Sequence, residues 1–184
     1  MKTKYVLHGG SAQHVNAEND KFFTEILNGA GDRVRILLVE FAGSDERKER
    51  NVAIDTSQFE RVKGSRELTF EVADRDIFLN QIRKADVVYL GGGTTVRLVE
   101  VLNHYPELRV AFEGKIIAGE SAGANVMATY CYSKSGGGVM KGLGLVPVKM
   151  WPHYKEERNE EFESISRELE SLLLKDCEYR VFEI

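Results

Sequence analysis

Three short stretches of this chain carry residue types and spacings suited to acyl transfer: Gly119-Glu120-Ser121-Ala122-Gly123, Trp151-Pro152-His153-Tyr154 and Gly91-Gly92-Gly93. The first lies between the apolar run Lys115–Ala118 and the helix-prone stretch Ala124–Thr129. A strand that enters a helix through so tight a turn needs small residues on both sides of the central one, and it leaves that side chain exposed at the strand end. Ser121 therefore reads as a nucleophile; the same five residues also read as a Ser/Gly turn in which Ser121 only caps the helix. A hydroxyl is a weak nucleophile at neutral pH, so it needs a base within hydrogen-bond reach and donors aimed at the developing oxyanion. His153 is the best base, though between Trp151 and Tyr154 it also reads as a stacked structural histidine. His14 and His104 fall in or beside helices, and His8 ends the first apolar run, where it reads as a neighbour of the site. The oxyanion donors would be the amide of Ala122 and one from Gly91–Gly93, a triplet that alternatively opens a helix or cradles a phosphate. The lysine of a P-loop is missing there, which ranks the nucleotide reading last.

The elements that must hold these residues alternate. Lys4–His8, Val34–Phe41, Leu68–Val72 and Asp86–Leu90 read as strands, while Asn16–Asn28, Glu46–Glu60, Asp74–Lys84 and Thr94–Leu102 read as helices. Ser133–Gly138 reads as a flexible loop, Glu160–Lys175 as a helix with Phe162, Ile165, Leu169, Leu172 and Leu173 on one face, and Glu178–Phe182 as a last strand. Runs that are continuously apolar point to an α/β fold with a mostly parallel sheet covered by helices on both faces. In such folds the site lies where strands end and helices begin, so the glycine-bearing ends at Gly9-Gly10, Gly91–Gly93 and Gly119–Gly123 are expected on one edge.

At 184 residues and 42% hydrophobic content, residues 1–184 suit a single domain. The 25 basic and 29 acidic residues leave a net charge of −4 without a basic patch, which excludes a nucleic-acid or polybasic membrane surface. No apolar run reaches membrane-span length and the first residues do not form a signal peptide, so the expected location is cytoplasmic. Cys131 and Cys177 form no C-x-x-C pair, and neither a metal site nor a cofactor is expected. The expected partner is a small molecule or a small peptide substrate, for a monomer or a homodimer.

In order along the chain, the Gly-Gly-Gly-Thr-Thr turn at 91–95, the Gly-x-Ser-Ala-Gly-Ala-Asn elbow at 119–125 and the Pro-His-Tyr at 152–154 resemble peptidase family S51, that is dipeptidase E (alpha-aspartyl dipeptidase) and its cyanophycinase relatives. That family is similar in fold to class I glutamine amidotransferases, so the resemblance implies a three-layer α/β/α domain and a serine peptidase. It implies Ser121 as nucleophile, His153 as base, Gly93 and Ala122 as oxyanion donors, and Arg158, Gly92 and Thr94 as substrate-binding residues, Arg158 gripping the side chain of an aspartyl substrate. One element is missing. The family's catalytic aspartate follows the elbow helix, yet residues 122–152 hold no Asp or Glu, where composition would place about five. Ser135 and Gly136 stand at the matching place, and the acids nearest His153 or Ser121 in sequence are Glu120, Glu156 and Glu157. The third member of the triad is thus unassigned, and a catalytically weakened binding protein on the same fold is the alternative. An esterase of the α/β-hydrolase type fails because that fold needs its acid between serine and histidine. Lys134, Lys141 and Lys149 in the acid-free stretch would leave the site positive.

Overall fold

The continuously apolar runs become strands buried on both faces. The computed structural model describes residues 2–184. In chain order it contains β1 (Lys4–His8), α1 (Ala17–Leu27), β2 (Arg33–Val39), α2 (Asp45–Val62), β3 (Glu67–Val72), α3 (Phe78–Lys84), β4 (Val87–Leu90), α4 (Thr95–Leu102), α5 (Leu108–Phe112), β5 (Ile116–Glu120) and α6 (Ala122–Met127). It continues through β6 (Ala128–Ser133), β7 (Gly138–Lys141), β8 (Val146–Trp151), α7 (Glu160–Ser164), β9 (Glu170–Leu173) and β10 (Tyr179–Glu183). The main sheet has the order β10-β1-β5-β4-β2-β3. It is parallel throughout except for β10, which runs antiparallel to β1.

Side chains two apart along each strand share a face. Val6, Ile36, Leu38 and Tyr89 point toward α1 and α2, where Phe22, Phe23, Ile26 and Phe59 complete one core. Leu7, Leu37, Val39, Val88, Leu90 and Ile117 point the other way, into a larger core closed by α3–α6 and by a second sheet. The C-terminal ends of β1, β4 and β5 lie side by side, so the three glycine-bearing ends do gather on one edge.

The second sheet, ordered β7-β6-β8-β9, was not legible in the sequence. Ser133–Gly138 is the turn of the β6–β7 hairpin. The helix expected over Glu160–Lys175 is also replaced: α7, capped by the Asn159 side chain, ends at Ser164, and Ser166 has φ 42°. Period two wins over helical spacing, because Leu172 and Leu174 are buried while Ser171 and Leu173 face outward. Val148–Trp151 then gains a parallel partner in β9, and its backbone groups are paired instead of being left open.

Candidate active site

Ser121 sits directly after β5 with φ 47° and ψ −104°, a conformation that non-glycine residues rarely adopt. The flanking glycines make the turn possible. A Cβ at Gly119 would stand 2.6 Å from the Gly123 carbonyl carbon, and one at Gly123 would stand 2.0 Å from the Leu90 oxygen. The Ser121 amide donates to the His8 carbonyl at 3.1 Å, and its side chain makes no cap bond to α6. The hydroxyl instead meets His153.

His153 follows β8 with φ 53°, and its amide donates to Gly9 O at 2.7 Å. Nε2 lies 2.9 Å from Ser121 Oγ and Nδ1 2.5 Å from Asp176 Oδ1. The stacking expected for this histidine belongs to its neighbour: Trp151 stacks on Tyr132 at 4.0 Å and meets Tyr154 and Phe162 edge-on. Gly9 and Gly10 let the pieces meet. A Cβ on Gly10, whose φ is 117°, would lie 2.1 Å from His153 Cε1, and one on Gly9 would lie 2.0 Å from Lys175 O. Gly10 O also accepts the Cys177 amide at 3.0 Å, so one loop braces both His153 and the turn that carries Asp176.

Asp176 is the residue that sequence reasoning missed. It lies between β9 and β10, 23 residues beyond His153, and antiparallel pairing of β10 with β1 brings it to the site. The three glutamates nearest in sequence are engaged elsewhere: Glu156 with Lys175 at 2.7 Å, Glu157 with Lys134 at 3.6 Å, and Glu120 with the Ala12 amide at 3.0 Å. The available signal was the polar turn Lys175-Asp176-Cys177-Glu178 ahead of a strand able to pair beside Gly9-Gly10.

On the other side of Ser121, Gly93 has φ 145° and approaches Ala42 so closely that a Cβ would fall 2.5 Å from the Ala42 oxygen. Gly91 and Thr94 donate their amides to Val39 and Ala42. Ala122 begins α6, where backbone N–H groups lack intrahelical acceptors. Gly92, Gly93 and Thr94 line a cavity of about 680 Å³ together with Ser121, His153 and the N-terminal half of α2. A second arm of about 220 Å³ runs from the same serine and histidine between Thr95, Tyr132, Ser135 and Trp151.

Two expectations about charge are corrected. Arg158 lines neither arm; its side chain is 85% exposed and forks onto Glu163 at 3.1 and 3.0 Å, a pairing provided within its own turn. The arginines that do line the large arm are Arg47, Arg50 and Arg97. Of the lysines of 122–152, only Lys134 lines an arm, the smaller one, and there it pairs with Glu157 at 3.6 Å; Lys149 is buried against the Phe162 carbonyl at 3.0 Å. The large arm holds three carboxyls instead, Glu40, Asp55 and Glu120, and burial pushes all three above the usual carboxylate range. Two of them lie against the glycine turn, since Cβ atoms on Gly91 and Gly92 would meet Glu40 and Glu120 oxygens at 2.5 and 2.8 Å. Acids in that position make the turn a poor phosphate cradle.

His8 is fully buried behind the site. Its Nδ1 accepts the Gly10 amide at 3.1 Å and its Nε2 faces Asn19 Oδ1 at 3.0 Å, while Asn19 Nδ2 donates to the Ser11 and His14 carbonyls. Burial, the largest influence, lowers its pKa to about 4, so the neutral ring holds the loop at physiological pH. Cys131 is buried and its thiol is pushed up to about 12, which makes it inert. Among the described residues no helix is long and apolar enough to cross a membrane.

The model of peptidase family S51 matches residues 5–175. Among solved structures, a peptidase from an acI-B1 Actinobacterium superposes with a TM-score of 0.70 at 19% identity, over 99% of this chain and 84% of that one. A protein assigned as peptidase E from Listeria monocytogenes EGD-e gives 0.67 at 19% identity, over 100% and 98%. At that identity the likeness establishes the fold. No curated protein sequence matches the chain.

Proposed function

The chain belongs to peptidase family S51, and from that premise we propose a serine-type peptidase that hydrolyses short peptides through Ser121, His153 and Asp176. The observation that carries this reading is the unbroken line Asp176 Oδ1, His153 Nδ1, His153 Nε2, Ser121 Oγ, with steps of 2.5 and 2.9 Å. Asp176 accepts a hydrogen bond from Nδ1–H, which fixes the tautomer and leaves Nε2 free to take the hydroxyl proton. Ser121 Oγ attacks the scissile carbonyl carbon while that proton passes to Nε2; the amides of Gly93 and Ala122 receive the oxyanion. His153 returns the proton to the leaving amine, and water hydrolyses the acyl-enzyme by the same base. The two arms that meet at Ser121 suit the residues on either side of the bond. In the large arm Arg47, Arg50 and Arg97 are the guanidinium groups available to a substrate carboxylate, such as the side chain of an Asp-X dipeptide.

The test pairs covalent labelling with a substrate screen. A fluorophosphonate should label wild type at Ser121, and dipeptides with varied first residues should be cleaved. Absence of both would identify a catalytically silent binding protein on this fold.

A further inference from the structure

His8 ends β1, the strand that lies between β5 and β10, and it is fully buried. Its backbone carbonyl accepts the Ser121 amide at 3.1 Å. Its ring serves a different partner, with Nδ1 3.1 Å from the Gly10 amide nitrogen. The roles of the two ring nitrogens are fixed by Asn19, a fully buried side chain on α1. Asn19 Nδ2 donates to the Ser11 and His14 carbonyls at 2.9 and 2.7 Å, so it is Oδ1 that faces His8 Nε2 at 3.0 Å. Nε2 then carries the ring proton, and Nδ1 can only accept. Packing on Phe22, whose ring centroid lies 4.2 Å away, would need neither nitrogen.

We propose that His8 is a positioning residue of the peptidase site: its Nδ1 lone pair holds the Gly10 amide and thereby seats His153 against Ser121. The inference rests on the peptidase reading for the roles of Ser121 and His153. Gly10 has φ 117°, and the His153 ring fills the space a side chain would take, since a Cβ there would stand 2.1 Å from Cε1. The segment is tied on both sides of that contact. Gly9 O accepts the His153 amide at 2.7 Å, and Gly10 O accepts the Cys177 amide at 3.0 Å, next to Asp176. The buried amide of Gly10 itself is held by His8 Nδ1. Without that acceptor the N–H is orphaned, and the segment must shift to find another. A displacement of about 1 Å at a reacting group costs on the order of 10²-fold in rate. One residue thus fixes the nucleophile through its carbonyl and the base through its ring, so the spacing between Ser121 and His153 is set at the end of β1.

Two substitutions separate the two nitrogens. His8→Asn places an amide oxygen where Nδ1 stands and leaves Asn19 unpaired; His8→Gln reaches Asn19 and leaves the Gly10 amide without an acceptor. On the full chain, each is compared with wild type by kcat and KM on the best dipeptide, by urea unfolding, and by the far-downfield proton resonance of His153 Nδ1–H against Asp176. His8→Gln should lose at least ~30-fold in kcat, with KM changed by less than about threefold, and should lose or shift the resonance. His8→Asn should keep kcat within about threefold and keep the resonance, although it vacates more of the core and is the less stable of the two. Retained kcat and resonance in His8→Gln, or kcat falling in the two variants in the order of their stability, overturns the proposal. Should either variant fail to fold, the wild-type ring decides: a hydrogen-bond scalar coupling from Gly10 N–H to His8 Nδ1 upholds it, and a proton on Nδ1 overturns it. If wild type cleaves no peptide and takes no fluorophosphonate, the peptidase reading falls, and the His153 resonance across the three proteins still decides the positioning role.

Discussion

Replacing Asp176 with Asn probes the part of the site that the sequence concealed. The Asp176 carboxylate lies 2.5 Å from His153 Nδ1, and both side chains are only partly buried, at 48% and 42% exposure. In the proposed mechanism the ring becomes an imidazolium when Ser121 loses its proton, and the carboxylate stabilises it. Charge centres about 4 Å apart interact by ~1 kcal/mol in water and ~4 kcal/mol at a protein surface, so half-exposed partners should contribute about 2–3 kcal/mol. That is a factor of roughly 10² in kcat. Asn adds a second loss: its amide can turn an N–H toward Nδ1 and favour the tautomer with the proton on Nε2, where it blocks the serine. The loss for a fully buried triad acid is about 10⁴, and solvent around Asp176 should soften it to ~10²–10³. The fall should appear in kcat, with KM changed by less than about threefold, because Asp176 acts through His153 and not on the substrate. Steady-state kinetics on the best dipeptide, with fluorophosphonate labelling rates as a second readout, measure it. A loss below tenfold, or a larger one in Glu120→Gln, Glu156→Gln or Glu157→Gln, would refute Asp176 as the orienting acid.

Ser121→Ala and His153→Ala should each abolish hydrolysis, and the double variant should be hardly worse than either, since the pair works as a unit; turnover retained in Ser121→Ala removes the nucleophile. Gly10→Ala must fit a Cβ at φ 117° and 2.1 Å from the His153 ring, so it should cost at least ~2 kcal/mol in urea unfolding and displace the base; wild-type kinetics in that variant would contradict the bracing loop. Arg158→Lys should leave the ratio of kcat/KM for Asp-Leu over Asn-Leu unchanged within about twofold, because an exposed pair with Glu163 contributes little; a collapsed ratio would return Arg158 to the site. For His8 the sign follows from burial: the folded ring resists protonation down to about pH 4, whereas the unfolded ring gains its proton near pH 6.5. Its contribution is complete above pH 6.5 and falls by about 3 kcal/mol as pH drops to 4. The buried carboxyls, whose folded pKa values are raised, act in the opposite sense, so the measurement is the urea-unfolding difference between wild type and His8→Gln across that range. A difference independent of pH would show that His8 is not held neutral.

What the sequence disclosed and what it hid divide by the range of the interactions. The Ser121 elbow was legible because Gly119 and Gly123 are demanded by contacts within one turn and with the adjacent strand. The strands β1, β2, β4 and β5 were legible because each apolar run is long enough to be a buried strand. Asp176 was hidden because its place depends on two pairings at once, β9 on β8 and β10 on β1, and residues 160–175 carry leucines whose spacing also fits a helix. Only the open edge of β8 decides between the two periods, and a window of sequence contains no strand edges. Arg158 was misplaced for the converse reason: its position near His153 is sequential, while Asn159 caps a helix that turns the guanidinium toward Glu163 and away from the cavity. Glu40 was overlooked although its signal is local. It stands inside the apolar run 34–41, at the C-terminal end of β2, and in a parallel sheet that end faces the ligand. A carboxyl there is removed from water by the same packing that buries its neighbours, with no basic residue supplied in compensation. That burial raises its pKa above the usual carboxylate range, so the packing that hid the acid among apolar neighbours also favours its protonated form.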